Sequence, residues 1–174
     1  MQLLGSFRSL CLLFVNCLVV ACNGSGSSNN AQPQSTSPDS GAPQVRPDVR
    51  EYIESSLTSI YERQAALQFA TSIQGTIDFW DDAVKIKKQA LTTFRAMDCM
   101  WYVFPTTKNF PYTAKADAVI DELKARTYNT KERSLAHVRS LKHLGGEVWT
   151  STDSKDLYKG CDFSLNGFVP TVLP

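Results

Sequence analysis

Apolar residues run together near the start of the chain, from Leu10 to Ala21, and then almost vanish until the middle forties. From Pro47 onward they return at helical spacing. Val49, Ile53, Leu57 and Ile60 recur every three or four positions, which puts them on one face and predicts a helix over 48–72. Pro47 suits a first helical turn, and Asp48 and Glu51 favour the positive end of the helix dipole. Gln74-Gly75-Thr76 reads as a break. A second stripe, Trp80, Val84, Leu91, Phe94 and Trp101, predicts an inward face for a helix over 77–100 that Pro105 stops, with Lys85, Lys87 and Lys88 largely off it.

Residues 114–126 predict a third helix from their Ala, Leu, Glu and Lys content, with Val119, Ile120 and Leu123 facing in. Asn129-Thr130-Lys131-Glu132 reads as a capping box, Asn129 accepting from the third backbone N–H while Glu132 reaches back. The fourth helix it opens carries Leu135, Val138, Leu141 and Leu144 as its expected inner face. Gly145-Gly146 ends it, since glycine takes the left-handed C′ conformation without strain. From Glu147 to Pro174, Asp, Ser, Gly and Pro punctuate the chain; no helix is expected, and Val148-Trp149 and Phe168 to Leu173 read as extended pieces laid on the helices. The expected fold is all-α, a small bundle of about four helices with an irregular C-terminal tail, without internal repeats.

The N-terminal segment has a different logic. Arg8 and the amino terminus are positive, the apolar stretch that follows is about a dozen residues, and Val20-Ala21 ends it in small side chains, the order of an export signal. A spanning helix needs about 20 apolar residues, and Asn16 interrupts this one. Leu18-Val19-Val20-Ala21-Cys22 resembles the lipobox of bacterial lipoproteins, with an aliphatic residue at −3 and a small one at −1 before the cysteine. The resemblance covers only the signal. It implies cleavage before Cys22, attachment of palmitate-type acyl chains there, and a partnership with the membrane through those chains. Asn23 at the second mature position implies, by similarity to the enteric sorting rule, the outer membrane.

Between Cys22 and Arg46 the chain is mostly Gly, Ser, Asn, Gln, Thr and Pro, which predicts a tether spanning roughly 25–30 Å on average and ~80 Å when stretched. The expected organisation is therefore a signal over 1–21, an acylated tether over 22–46 and one domain over 47–174. Charge then narrows the partners. The net charge is +1 and Arg8 is the only charged side chain before Cys22, so the exported part is balanced. Balance and export together give no role to nucleic acid. Cys11, Cys17 and Cys22 lie in the signal, leaving Cys99 and Cys161, which in an oxidising compartment predict one disulfide. That bridge would close a loop of roughly 60 residues and contribute about 4 kcal/mol on the chain-entropy argument.

Motifs for chemistry are sparse. His137 and His143 are six apart on one helix, turned about 120° from each other, which does not suit one metal ion. HExxH, Cys-x-x-Cys, G-x-S-x-G and phosphate-binding glycine loops are absent, so no metal or cofactor is expected and no catalytic residue is assigned. Ser140 precedes His143 at helical spacing but has no oxyanion hole beside it in the sequence. Two acidic groups, Asp78, Asp81 and Asp82, and Asp117, Asp121 and Glu122, could serve a glycosidase only if they met across a cleft. Trp101, Tyr102, Phe104, Phe110 and Tyr112 either pack in the core or form a candidate partner patch, and Lys124, Arg126, Lys131, Arg133, Arg139 and Lys142, against the single acid Glu132, make either a solvated helix surface or a candidate anion-facing one. The function expected is a non-catalytic binding or accessory role in a lipid-anchored envelope protein, toward a periplasmic or surface protein or polymer. A small envelope hydrolase acting on a glycan or peptide through the helix carboxylates, and an immunity-type inhibitor lipoprotein, are the alternatives.

Overall fold

A computed structural model describes residues 43–107, 114–150 and 152–173. Cys22, the expected signal and most of the expected tether lie outside the described residues, as do Phe110 and Tyr112. The fold is all-α. Five helices follow one another: α1 (Pro47–Ser56), α2 (Ile60–Asp78), α3 (Ala83–Val103), α4 (Ala114–Thr127) and α5 (Lys131–Leu141). Two 3₁₀ segments, Lys142–Leu144 and Ser154–Gly160, and two short strands, β1 (Thr106–Thr107) and β2 (Val172–Leu173), complete the order. The strands pair in parallel, Thr106 opposite Val172 and Thr107 opposite Leu173.

The helix expected over 48–72 is two helices. Leu57 and Ser59 adopt extended backbone between α1 and α2. Ser55, Ser56, Thr58 and Ser59 crowd this point, and the Ser55 hydroxyl already donates to the Glu51 carbonyl, the kind of local bond that competes with helix continuation. The bend keeps Val49, Ile53 and Leu57 buried and turns Ile60 out to solvent. Conversely, α2 runs straight through the expected break at Gly75. The true break follows Asp78, and Asp82 caps α3 by accepting from the Val84 and Lys85 amides at 3.1 and 3.0 Å.

Helix α2 is the centre of the domain, packed by α1, α3, α4 and α5. Ala65, Ala66, Phe69, Ala70, Ser72, Ile73 and Gly75 are all buried along it. Such small side chains let neighbouring backbones approach closely. At Gly75 a Cβ would lie 2.5 Å from the Gln89 side chain of α3, whose Nε2 donates to the Ser72 carbonyl at 2.8 Å. Glycine is kept here for room rather than for a turn.

That close contact decides which face of α3 is inside. Ile86, Gln89, Ala90, Ala96, Cys99, Met100 and Val103 face in, whereas Trp80, Val84, Leu91 and Phe94 of the expected inner stripe are on the outside, Val84 at 80 % exposure. Helix α5 is corrected in the same way: Ala136 and Ser140 are its buried residues, and Leu135, Val138 and Leu141 are exposed. In α4 the expected Val119, Ile120 and Leu123 are buried, joined by Ala116 and Thr127. The cap of α5 is Thr130, which accepts from the Arg133 amide at 3.3 Å, rather than Asn129. Asn129 Oδ1 is occupied by the guanidinium groups of Arg46 and Arg133. Gly146, at φ 85°, supplies the left-handed residue after the helix end.

The tail contains a 3₁₀ helix over Ser154–Gly160 where none was expected, started by Asp153 accepting from the Lys155 amide. Cys161, directly after it, is bonded to Cys99 of α3. Gly160 permits the approach, since a Cβ there would collide with the Arg95 carbonyl and lie 2.8 Å from Asp98 Cβ. Gln68 of α2 donates to the Gly160 carbonyl and accepts from the Asp162 amide, and Phe168 rests against Tyr61 and Tyr102 at 4.9 and 5.6 Å. Of the extended pieces, Trp149 and Phe168 pack against helices, while Val148 and Val169 remain exposed.

Replacing both cysteines, Cys99→Ser with Cys161→Ser, releases a cross-link between residues 62 apart. The expected loss is about 2–4 kcal/mol of unfolding free energy, read from urea denaturation of the oxidised wild type and the variant; no change would show that the tail is held without the bridge.

Candidate functional site

The two acidic groups are used locally. Asp78 accepts from Gln74 at 2.8 Å, and Asp82 is the α3 cap, its carboxyl held below the usual carboxylate range chiefly by the Lys85 amide. With Asp81 they line one open depression at the α2–α3 corner that contains none of the α4 acids. On α4, Asp117 accepts from the Trp101 indole at 3.3 Å, Glu122 pairs with Arg126 at 2.7 Å and Asp121 lies 4.0 Å from Lys124. Among the described residues no three His, Cys, Asp or Glu side chains converge to hold a metal ion.

The candidate aromatic patch divides. Phe104, at 1 % exposure, belongs to the core and is not part of any surface. Tyr102 is half-buried beneath the tail, against Tyr158 and Phe168. Trp101 lines a cleft of about 230 Å³ together with Phe94, Met97, Asp98, Trp149 and Thr152. There Trp149 lies against Phe94 with ring centroids 5.3 Å apart and the Thr152 hydroxyl donates to buried Asp98 at 2.6 Å, so Trp149 covers part of the outward α3 stripe.

The basic residues of α4 and α5 are not one uniform patch. Arg126 lies over the Tyr52 ring as well as pairing with Glu122, Arg133 is held by Asn129, and Arg139 sits over Trp80. Lys131 and Lys142 are exposed. Lys131, Leu135, Val138 and Lys142 follow i, i+4, i+7, i+11 spacing, which gives α5 an outer face of two apolar side chains between two lysines.

Inside that helix lies a feature with no linear signature. A cavity of about 170 Å³ opens between α2, α3, α4 and α5. Phe69, Ile73, Ile86, Ala90, Met97 and Leu144 wall it, and Thr76, Tyr128, His137 and Lys124 form its polar side. The Thr76 hydroxyl donates to the Ile73 carbonyl at 2.7 Å, which leaves its oxygen as acceptor for both Tyr128 OH and His137 Nδ1, each at 3.3 Å. This assigns the proton of neutral His137 to Nδ1. Its ring stacks on Tyr128 with centroids 4.2 Å apart and planes 13° from parallel. Nε2 has no hydrogen-bond partner among the described residues. Fully buried side-chain nitrogens and oxygens among them are all satisfied, so Nε2 stays accessible.

Burial, and secondarily the charge of Lys124, hold the His137 pKa below its ordinary 6.5; burial raises that of Tyr128. Thr93 and Ser140, which also line the cavity, donate to the Gln89 and His137 carbonyls of their own helices. Among the described residues the lining offers an apolar body, a neutral imidazole, a phenol and one ammonium. His143 lies apart in the Lys142–Leu144 turn.

Compared with known proteins, the chain matches no family model, no curated protein and no solved structure.

Because the unfolded chain binds a proton at His137 more readily than the folded one, the stability contributed by the neutral ring is complete above about pH 6.5 and is lost as pH falls from there toward the folded-state pKa. Proton NMR titration should place the His137 midpoint below 6.5, and His137→Gln should flatten the fall of stability in that window. A midpoint above 6.5 would contradict the burial argument.

Proposed function

We propose that the chain is a lipid-anchored protein of the bacterial cell envelope, acylated at Cys22, with a non-catalytic binding domain directed at a periplasmic or surface partner. The lipobox-like run Leu18 to Cys22 and the polar stretch behind it support the anchor and the reach. Among the described residues no helix is long and apolar enough to cross a membrane.

The observation that carries the binding role is the outer face of α5. Leu135 and Val138 are 42 % and 54 % exposed, although α5 has small residues on its inner face. Scattered apolar side chains on a surface are ordinary; a run of them along one helix, between Lys131 and Lys142, is the pattern of an interaction face. Its chemistry favours a partner with apolar contacts rimmed by acidic groups. The two clusters of carboxylates, each used in caps and pairs, give the hydrolase reading no comparable support.

Two outcomes are expected. Cys22→Ala should abolish metabolic labelling by a fatty-acid probe; persistent labelling would remove the anchor from the proposal. Leu135→Glu with Val138→Glu should leave unfolding within about 0.5 kcal/mol of wild type, since both sites are exposed. The same double variant should reduce the partner recovered with the native lipoprotein from membranes by at least about tenfold, and equal recovery would sink the α5 face.

A further inference from the structure

We propose that the cavity between α2, α3, α4 and α5 is a binding site for a small monocarboxylate whose apolar body is a single ring or a chain of about six carbons. The site is distinct from the outer face of α5 and stands or falls without it.

Size sets the body of the ligand. An apolar cavity of about 150 Å³ accommodates one benzene-sized molecule, and this one is about 170 Å³. Its walls come from four different elements, Phe69 and Ile73 from α2, Ile86, Ala90 and Met97 from α3, and Leu144 from the turn after α5, with Lys124 entering from α4. Apolar contact therefore surrounds the guest instead of covering one side of it, as ligand pockets require. The hydroxyls along the walls are committed: Thr93 and Ser140 to carbonyls of their own helices, Thr76 to Ile73, and Tyr128 to Thr76. None keeps a free O–H to donate to a sugar or other polyol.

Charge sets the head. The lining contains no carboxylate; its ionisable groups are Lys124, His137 and the Tyr128 phenol. Lys124 is 44 % exposed, and its nearest acid, Asp121, is 4.0 Å away and itself 80 % exposed, a loose surface contact. A carboxylate can thus meet the ammonium at the rim while still touching water, avoiding the cost of burying an anion, as its hydrocarbon enters the cavity. His137 lines the same cavity as Lys124, and its Nε2, without a hydrogen-bond partner among the described residues, can accept from a bound water or, once protonated, donate to the carboxylate. A cationic head would be repelled by Lys124, and a neutral one would gain nothing from it.

The test uses three probes with the same body, hexanoate, hexanol and hexylammonium, titrated into the full-length protein and followed by methyl NMR of Ala90, Ile73 and Met97. Saturable shifts with hexanoate are expected, with affinity about fivefold or more above hexanol and hexylammonium, the effect of one partly screened charge. Lys124→Met should bring hexanoate down to the hexanol level while leaving the hexanol affinity unchanged. Ala90→Leu should fill the cavity and abolish binding of all three. Should that variant unfold, Lys124→Met still decides the head-group claim, and the identity of the shifted methyls decides the location. Hexylammonium binding as tightly as hexanoate, shifts confined to methyls outside the cavity, or no saturable shift with any probe would each overturn the proposal.

Discussion

The domain depends on one helix being coverable from several sides. A helix enclosed by α1, α3, α4 and α5 cannot carry large side chains all round without holding its neighbours apart, and α2 does not: Ala65, Ala66, Ala70, Ser72 and Gly75 share its buried surface with Phe69 and Ile73. The same closeness brings polar groups inside and requires partners for them. Glu62 is buried and meets Lys115 of α4 at 2.5 Å, and Gln89 reaches the Ser72 carbonyl across the Gly75 gap. A buried carboxylate deprived of its cation would be costly, so this pair serves to make a crowded contact tolerable more than to add net stability.

Packing around a small-residue helix has a consequence at the periphery. Helices α3 and α5 bury Ala90, Ala96, Ala136 and Ser140 among their inward residues, while Leu91 and Phe94 of α3 and Leu135 and Val138 of α5 end up outside. On α3 these are partly covered by the C-terminal segment through Trp149 on Phe94. The tail can do this because it is held at several points: the Cys99–Cys161 bond, Gln68 on either side of Gly160, and Phe168 between Tyr61 and Tyr102. On α5, Leu135 and Val138 have no such cover among the described residues and remain exposed. An exposed face and an internal cavity thus arise from one geometry, since small inward residues on α3 and α5 both leave space inside and send bulk outside.

The cavity's polar side follows the same logic. Thr76, Tyr128 and His137 come from α2, the end of α4 and α5, and they meet where those helices enclose too little apolar volume to close. One hydroxyl accepting from two donors organises all three and fixes the histidine tautomer. A mutually satisfied cluster of this kind can sit beside an apolar void without penalty, and it orients an imidazole edge that would otherwise be free to turn.

By itself the sequence determined much of this protein. Composition, periodicity and the oxidising-compartment argument led to an all-α domain, a disulfide between Cys99 and Cys161, inward Val119, Ile120 and Leu123 in α4, and a stop at Gly145-Gly146, because each rests on local propensity or simple counting. Tertiary structure decided the rest. Which stripe of α3 and α5 faces in turned on how near α2 could come, and a pattern read by side-chain bulk chose the opposite faces. The α1–α2 bend and the passage through Gly75 depended on what lay opposite them, as did the choice of Thr130 over Asn129, whose oxygen was claimed by Arg46 and Arg133. The cavity was beyond sequence reach because Thr76, Tyr128 and His137 are separated by 52 and 61 positions from Thr76, and no spacing rule relates residues that only packing brings together.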